Sequence, residues 1–374
     1  MGTKKIRFLP TPEQQEILME WMGTARYTYN QTIHKIKNEK QKINFYSLRN
    51  KIVPKKKIKQ SKQWILNTPK DIRAASVKEV VTAFKSAFSN LRNRNINHFK
   101  IQYRCKKKQL RENIVIPKTA IKRLEGGNSF KLYCRRIKTS IHTHHEHLEE
   151  INHEIRIIHI KKCNLWYLCV PIDYKISNPS ENQARNGNVV SIDPGIKTFL
   201  TLYDKDGKII KIGRREDLVP QLYRIDKIRS LIDRKSDFKS SKKYNLRRRF
   251  AKRLYRLKNY ILEIHNKTCK FICSNYKTVL IPNIGNIKIF FSKSQRNLLS
   301  WNHSKFIERL KHCGIKNNTS VKIVTEEYTS KTCGSCGWLN NKLSNKDVFH
   351  CSKCDLKIDR DCNGARNILL KNLK

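Results

Sequence analysis

Four cysteines and three acids carry the chemistry legible in this chain. The cysteines form two pairs, Cys333-x-x-Cys336 and, fourteen residues on, Cys351-x-x-Cys354. Thiolates are soft ligands, and two knuckles at this spacing close one tetrahedral S4 site around a single Zn2+. No ligand position is left open, so this zinc is structural and the residues between the pairs form a short ribbon. The first acid, Asp193, ends the apolar run Val189-Val190-Ser191-Ile192. The second, Glu326, ends another apolar run, with Glu327 beside it. The third, Asp361, opens the last helical stretch. Singly, each reads as a cap or turn residue. Together they are a set of hard oxygen ligands, suited to two Mg2+ ions about 3.5–4 Å apart that activate water and neutralise a leaving oxygen.

The charge balance says what such a site would act on. Lys and Arg number 80 against 30 Asp and Glu, a formal net charge of +50 over 374 residues. Self-repulsion on that scale calls for a polyanionic partner, and nucleic acid is the one expected. The sequence shows no long apolar run, signal peptide or lipidation motif, so no membrane partner is expected. The cysteines outside the ribbon, such as Cys105, Cys134 and Cys269, read as reduced thiols of an intracellular protein. The length allows two or three domains.

The elements that must position these residues fall into two halves. Thr3 to Leu9 predicts a strand. Thr11-Pro12-Glu13-Gln14 opens a helix with a capping box, and Ile17, Leu18, Trp21, Met22, Ala25, Tyr29, Ile33 and Ile36 follow at helical spacing. A second helix is predicted from Thr68-Pro69, with Ile72, Ala75, Val80, Phe84, Phe88 and Leu91 on its apolar face. The basic segment from Lys51 to Lys62, with Lys55-Lys56-Lys57, reads as a loop that contacts phosphate, serves as a nuclear-import signal or is simply solvated. Strands are expected at Asn113–Ile116, Phe130–Tyr133, Ile155–Ile160 and Leu165–Ile172, making a small antiparallel barrel that Thr3 to Leu9 completes. The histidines His142, His144, His145 and His147 lie in a loop without the fixed geometry a metal needs.

After a polar linker, strands are expected at Val189–Asp193, Thr198–Tyr203, Ile209–Ile212, Thr278–Ile281 and Val321–Glu326. A long helical stretch from Arg224 to Tyr276, broken around Ser236, presents Phe250, Leu254, Leu257, Ile261, Ile264 and Phe271 on one face. Arg247, Arg248, Arg249, Arg253 and Arg256 crowd the opposite face, as suits a helix that packs on a sheet and touches phosphates. Mixed strands, hairpins and helices predict an α/β sheet of ribonuclease-H type. Tyr27, Tyr103 and Tyr244 sit in basic surroundings and are candidates for base stacking.

Several runs taken together resemble TnpB and its eukaryotic and viral relative Fanzor, transposon-encoded RNA-guided DNA endonucleases related to type V CRISPR effectors. They are Ser191-Ile192-Asp193-Pro194-Gly195, then Glu326-x-Tyr328-Thr329-Ser330-Lys331-Thr332-Cys333-x-x-Cys336-Gly337, the second cysteine pair, and Asp359-Arg360-Asp361-x-Asn363-Gly364-Ala365-Arg366-Asn367. The resemblance implies an α/β, RNase H-like (RuvC) nuclease domain over 188–332 and 355–374, with a zinc-ribbon insertion over 333–354. Ahead of it would lie a wedge-like β-barrel over 1–10 and 99–178, a helical recognition insertion over 11–98 and a linker over 179–187. It gives Asp193 the place of the first RuvC acid and Asp361, rather than Asp359, the last. Most TnpB proteins carry the middle glutamate just after the strand that here runs into Pro282-Asn283. Fanzor instead uses one before the Tyr-Thr-Ser run, which points to Glu326. Two Mg2+ ions, one structural Zn2+, a guide RNA derived from the transposon end and double-stranded target DNA are implied by the same likeness. Localisation would be nuclear in a eukaryotic source and cytoplasmic otherwise. The competing readings are an RNA-guided DNA-binding protein that has lost cleavage, and a guide-free nuclease of transposase or resolvase type.

Overall fold

The computed structural model describes residues 2–53, 59–107, 109–144, 147–148, 150–173, 188–234, 240–283, 301–340 and 347–373. The chain divides into two compact units, Met1–Tyr174 and Lys175–Lys374. The expected linker at 179–187, Lys55-Lys56-Lys57, His145 and the residues around Ser236 lie outside the described residues.

In the first unit, β1 (Gly2–Leu9) leads into α1 (Pro12–Lys37). The Thr11 side chain accepts the Gln14 amide while the Gln14 side chain accepts the Thr11 amide, so two otherwise orphaned donors are satisfied. Two further helices, α2 (Phe45–Ile52) and α3 (Lys70–Arg92), pack on α1 around Tyr29, Ile33, Leu48, Val77, Val80 and Phe84. The strands β2 (Arg111–Ile116), β3 (Ile121–Arg123), β4 (Ser129–Leu132), β5 (Ile141–Thr143), β6 (Ile155–Ile160) and β7 (Leu165–Ile172) come next. With β1 they form a seven-stranded sheet in the order β2-β6-β7-β1-β5-β4-β3, antiparallel at every pairing.

Strand β1 therefore sits near the middle of this sheet. Inward residues from its two ends, Ile114 and Ile116 of β2 and Phe130 and Leu132 of β4, meet in one core with Leu18, Trp21 and Met22 of α1. The sheet is curled around that core, and its edge strands β2 and β3 are not paired to each other. The far end of α3 departs from the expected apolar face, for Phe88 and Leu91 are exposed.

In the second unit, β8 (Val189–Pro194), β9 (Thr198–Asp204) and β10 (Ile209–Arg214) form a meander. The Asp204 side chain accepts the amides of Asp206 and Lys208, and Gly207 takes a positive φ, which closes the β9–β10 hairpin. Next come α4 (Arg215–Arg234), α5 (Ser240–Asn275), β11 (Thr278–Pro282), α6 (His303–Lys316) and β12 (Ser320–Val324). The ribbon contributes β13 (Val348–His350) and β14 (Lys357–Asp359), and α7 (Arg360–Asn372) ends the chain. The helix expected from Arg224 begins at Arg215, carrying Pro220 inside it.

The central sheet runs β10-β9-β8-β11-β12, with β8, β11 and β12 parallel to one another. Alternation sorts its two faces. Val190, Ile192, Val279 and Ile281 join the core under α4, α5 and α6. Leu280, with Val189 and Val324, packs against Ile368 and Leu369 of α7 on the other face. Among the described residues no helix is long and apolar enough to cross a membrane.

Candidate active site

Parallel pairing puts the ends of β8 and β12 at the same edge of the sheet, with β11 between them. Ser191 stands opposite Leu280, and Leu280 opposite Lys322. Two residues further along each strand come Asp193, Pro282 and Val324. Glu326 lies just beyond β12, in a turn rather than in the strand itself. Helix α7 begins at the same edge and brings Asp361 in its first turn. The carboxyl edge of parallel strands is where α/β sheets assemble ligand sites.

Asp193 and Asp361 have neighbours both from the sequence motifs and from outside them. The Ser191 hydroxyl, fully buried, donates to the Ala365 carbonyl at 2.7 Å and so ties β8 to α7. Gly364 sits against Asp193, where an added Cβ would fall 2.6 Å from its Oδ2. At Gly195 a Cβ would meet the Thr198 carbonyl at 2.6 Å and Asp361 Oδ2 at 3.8 Å. The buried His303 ring donates from Nε2 to the Gly195 carbonyl at 3.2 Å, fixing the turn after Asp193. Asp359, not Asp361, is the N-cap of α7, accepting the amides of Asp361 and Cys362. Lys211 pairs with Asp359 at 2.7 Å. The capping duty is thereby filled, and the Asp361 carboxylate is spare.

Glu326 is fixed by its own turn. The Thr329 amide and hydroxyl both donate to the Glu326 carbonyl, and Tyr328 takes a positive φ at the bend. That geometry separates the two neighbouring glutamates. Glu326 is half-buried and its charge reaches Asp193, whereas Glu327 is exposed and lies 3.9 Å from Lys371.

The electrostatics are those of an unneutralised acid cluster. Asp193 is pushed up to about 7, by burial first and then by the charges of Asp361 and Glu326, with Arg360 opposing. Burial also raises Asp361, aided by Asp359, and burial raises Glu326. Among the described residues no side chain donates to or pairs with any of these three carboxylates. Carboxylate oxygens are the donor type that a hard divalent cation such as Mg2+ takes. The three acids are less tightly gathered than the cysteines, whose potential ligand atoms all lie within 4.8 Å of one another.

The four cysteines come together as their spacing predicts. Cys333 Sγ lies 3.7 Å from Cys354 Sγ, and Cys336 Sγ lies 3.6 Å from Cys351 Sγ. A tetrahedron with Zn–S bonds near 2.3 Å has edges of about 3.8 Å, so the set fits zinc. Burial works against Cys351, yet the amides of Cys354 and Lys353 bring its thiol down to about 6. Asn363 and Asn367 of α7 grip the first knuckle. Asn363 accepts the Gly334 amide and donates to the Thr332 carbonyl, while Asn367 donates to the carbonyls of Thr329 and Thr332. These asparagines are visible in the sequence as part of a motif, but residue order alone does not reveal this role.

The remaining candidates belong to other elements. Arg247, Arg248, Arg249 and Arg256 are exposed along α5, and Arg253 is half-buried. Leu257 and Ile261 are buried on the opposite side, but Phe271 is exposed. Tyr103 and Tyr244 are exposed, and Tyr27 is half-buried. His142 lies in β5, and His147 Nδ1 donates to the Gly126 carbonyl. Among the described residues the cysteines are the one compact group of metal-ligating side chains.

Comparison with known proteins bears on this geometry. Residues 303–368 match the family model of the Cas12f1-like TNB domain, residues 171–290 that of a probable transposase, and residues 3–42 that of a helix-turn-helix domain. In this structure 3–42 comprises β1 and the single helix α1. A putative transposase of Paramecium bursaria Chlorella virus 1 is 31% identical, over 99% of this chain and 87% of its own length. A TnpB-like protein of Acanthamoeba polyphaga mimivirus is 28% identical, over 100% of this chain and 74% of its own. Among solved structures, CasPhi-2 (Cas12j) bound to crRNA aligns with 99% of this chain and 97% of that one, at 9% identity and a TM-score of 0.46. A likeness so distant decides nothing about the chemistry of the site.

Proposed function

The chain belongs to the TnpB family of transposon-encoded proteins, and on that premise we propose that it is an RNA-guided, Mg2+-dependent endonuclease that cuts guide-matched double-stranded DNA. The observation that carries this reading is the set of Asp193, Glu326 and Asp361. Three carboxylates that no cationic side chain pairs with among the described residues stand at the carboxyl edge of a mixed sheet, in a chain of net charge +50.

In this reading Asp193, Glu326 and Asp361 would hold two Mg2+ ions, which would supply activation of water and neutralisation of charge at the scissile phosphate. The protein's own part is positional. Ser191 and Gly364 seat Asp193 against α7. Asp359, held by Lys211, takes the capping role and leaves Asp361 to the site. The Thr329 turn aims Glu326 inward. A zinc held by Cys333, Cys336, Cys351 and Cys354 would fix the first knuckle, which Asn363 and Asn367 grip. The guanidinium face of α5 would track a phosphate backbone, while base pairing with the guide RNA would read sequence. The finer domain identities, a RuvC-type nuclease domain and a wedge-like barrel with a recognition insertion, belong to the same proposal.

The test starts from protein purified with its RNA, which is sequenced to define the guide. Guide-matched DNA should be cut with Mg2+ and left intact in EDTA. Asp193→Ala should abolish cutting, and Glu326→Ala should do so while Glu327→Ala does not. Cutting by Asp193→Ala would overturn the proposal. The lack of an acid at Pro282-Asn283 favours the second reading, a guided DNA-binding protein without cleavage. Tight guide-dependent binding by an inactive parent protein would select it.

A further inference from the structure

In the first unit a cavity of about 1120 Å³ opens beside α1, and the proposed chemistry does not use it. Tyr27 of α1 and Trp64 form part of its lining, edge to face with ring centroids 5.3 Å apart. Trp64 is 40% exposed, so an indole braced by a second ring keeps surface free for stacking. Lys106 and Lys107 also line the cavity; both are exposed, and no carboxylate pairs with either among the described residues. Arg26 and Lys161 are committed to the buried Glu112. The lysine pair is therefore what remains for an anion.

Two features narrow the ligand. Glu20 lines the cavity and accepts the Asn67 side-chain amide at Oε1, leaving Oε2 without a partner among the described residues. A carboxylate oxygen repels phosphate but accepts a hydroxyl proton, and the ribose 2′-hydroxyl distinguishes RNA from DNA. The second feature is Gly23, in the interior of α1. A helix-interior glycine destabilises a helix relative to alanine. Nothing in the packing asks for it, since an added Cβ would meet only Arg26 Nη2, at 3.8 Å. A bare backbone lining an open cavity is what close approach of a flat ring requires.

We propose that this cavity holds one unpaired ribonucleotide of the bound RNA. Its base stacks on Trp64, which Tyr27 braces, beside Gly23; its phosphate meets Lys106 and Lys107, and its 2′-hydroxyl donates to Glu20. This rests on the reading of the chain as an RNA-binding member of its family, and names one place where the RNA is held.

The measurement uses the full chain stripped of nucleic acid, with a short single-stranded RNA and its DNA counterpart as probes. Binding is followed by fluorescence anisotropy, and photo-crosslinks are mapped by mass spectrometry. Gly23→Ala is expected to raise the thermal midpoint by about 2 °C while weakening RNA binding about tenfold. A substitution that stabilises the fold and loses ligand cannot be explained by misfolding. Trp64→Ala should lose a similar factor and Trp64→Phe should recover most of it. Crosslinks should fall on peptides containing Tyr27 or Trp64. Unchanged RNA affinity in Gly23→Ala, or crosslinks confined to other peptides, overturns the proposal. Equal affinity for the DNA probe overturns the assignment to ribose. Failure of the nuclease reading would show instead as absence of guided cutting, which does not enter this measurement.

Discussion

Asp193 is the residue on which the site's behaviour turns. Its folded pKa of about 7 lies well above the ordinary carboxylate value, because burial and two neighbouring acids disfavour its charge. The native state therefore keeps a proton that the unfolded chain has already released between about pH 4 and pH 7. Stability then falls as pH rises through that window, and the penalty is complete above pH 7. Discounted for water reaching the half-buried Glu326 and Asp361, it amounts to about 2 kcal/mol. Asp193→Asn should accordingly raise the thermal midpoint of EDTA-treated protein at pH 8 and change it little at pH 4. Mg2+ should stabilise the parent at pH 8 and not the variant. Calorimetry across pH, with and without Mg2+, checks both. Gly364→Ala tests the same carboxylate sterically. A methyl group 2.6 Å from Oδ2 must push it aside, so cutting should fall about 100-fold while zinc content and RNA binding persist.

At the scale of elements, α7 and the ribbon act as one clamp. Asn363 and Asn367 reach from α7 to the Thr329–Gly334 loop, and that loop starts at the turn holding Glu326. Asn367→Ala would leave the Thr329 carbonyl without its side-chain donor and the Thr332 carbonyl with Asn363 alone, at a cost of about 1–3 kcal/mol. Cleavage should drop with it. Removing zinc with a thiol-directed chelator, then restoring Mg2+ alone, should likewise leave cutting lost until zinc returns. If Mg2+ alone restores full rate, the ribbon does not support the acids.

Much of this level could be read from residue order, because spacing reports local structure. The capping box at Thr11, the strand ending at Asp193 and the two cysteine pairs each depend on neighbours a few residues away. What resisted reading depends on distant partners. The short α2 has a basic sequence and is stabilised by Leu48 packing near Val77 of α3. Phe88 and Phe271 fit helical stripes, yet both are exposed. Residue order places Glu326 and Glu327 side by side, but their separation comes from the Thr329 turn. An acid at the head of the last helix was plain from residue order, but not that Asp359, two residues earlier, caps it. The roles of Asn363, Asn367 and His303 required the fold.

For the molecule as a whole, the net charge of +50 makes salt the most revealing variable. Each phosphate neutralised by a cationic side chain contributes about 0.9 to the slope of log affinity against log salt on duplex DNA. The exposed arginines of α5, Arg247, Arg248, Arg249 and Arg256, stand on one helix opposite a buried apolar stripe. If that face tracks a phosphate backbone, replacing the four with serine should lower the slope by about 2–4 and weaken binding to every sequence alike. Asp193→Ala should leave the slope unchanged, since in the proposed reading the acids would hold metal rather than phosphate directly. Guide-matched and unmatched duplexes should lose affinity in parallel, because the helix would read backbone and not bases. A titration over a range of salt concentrations separates the outcomes. An unaltered slope in the fourfold variant would make the α5 stripe a merely solvated face and move the phosphate contacts to other basic surfaces of the chain.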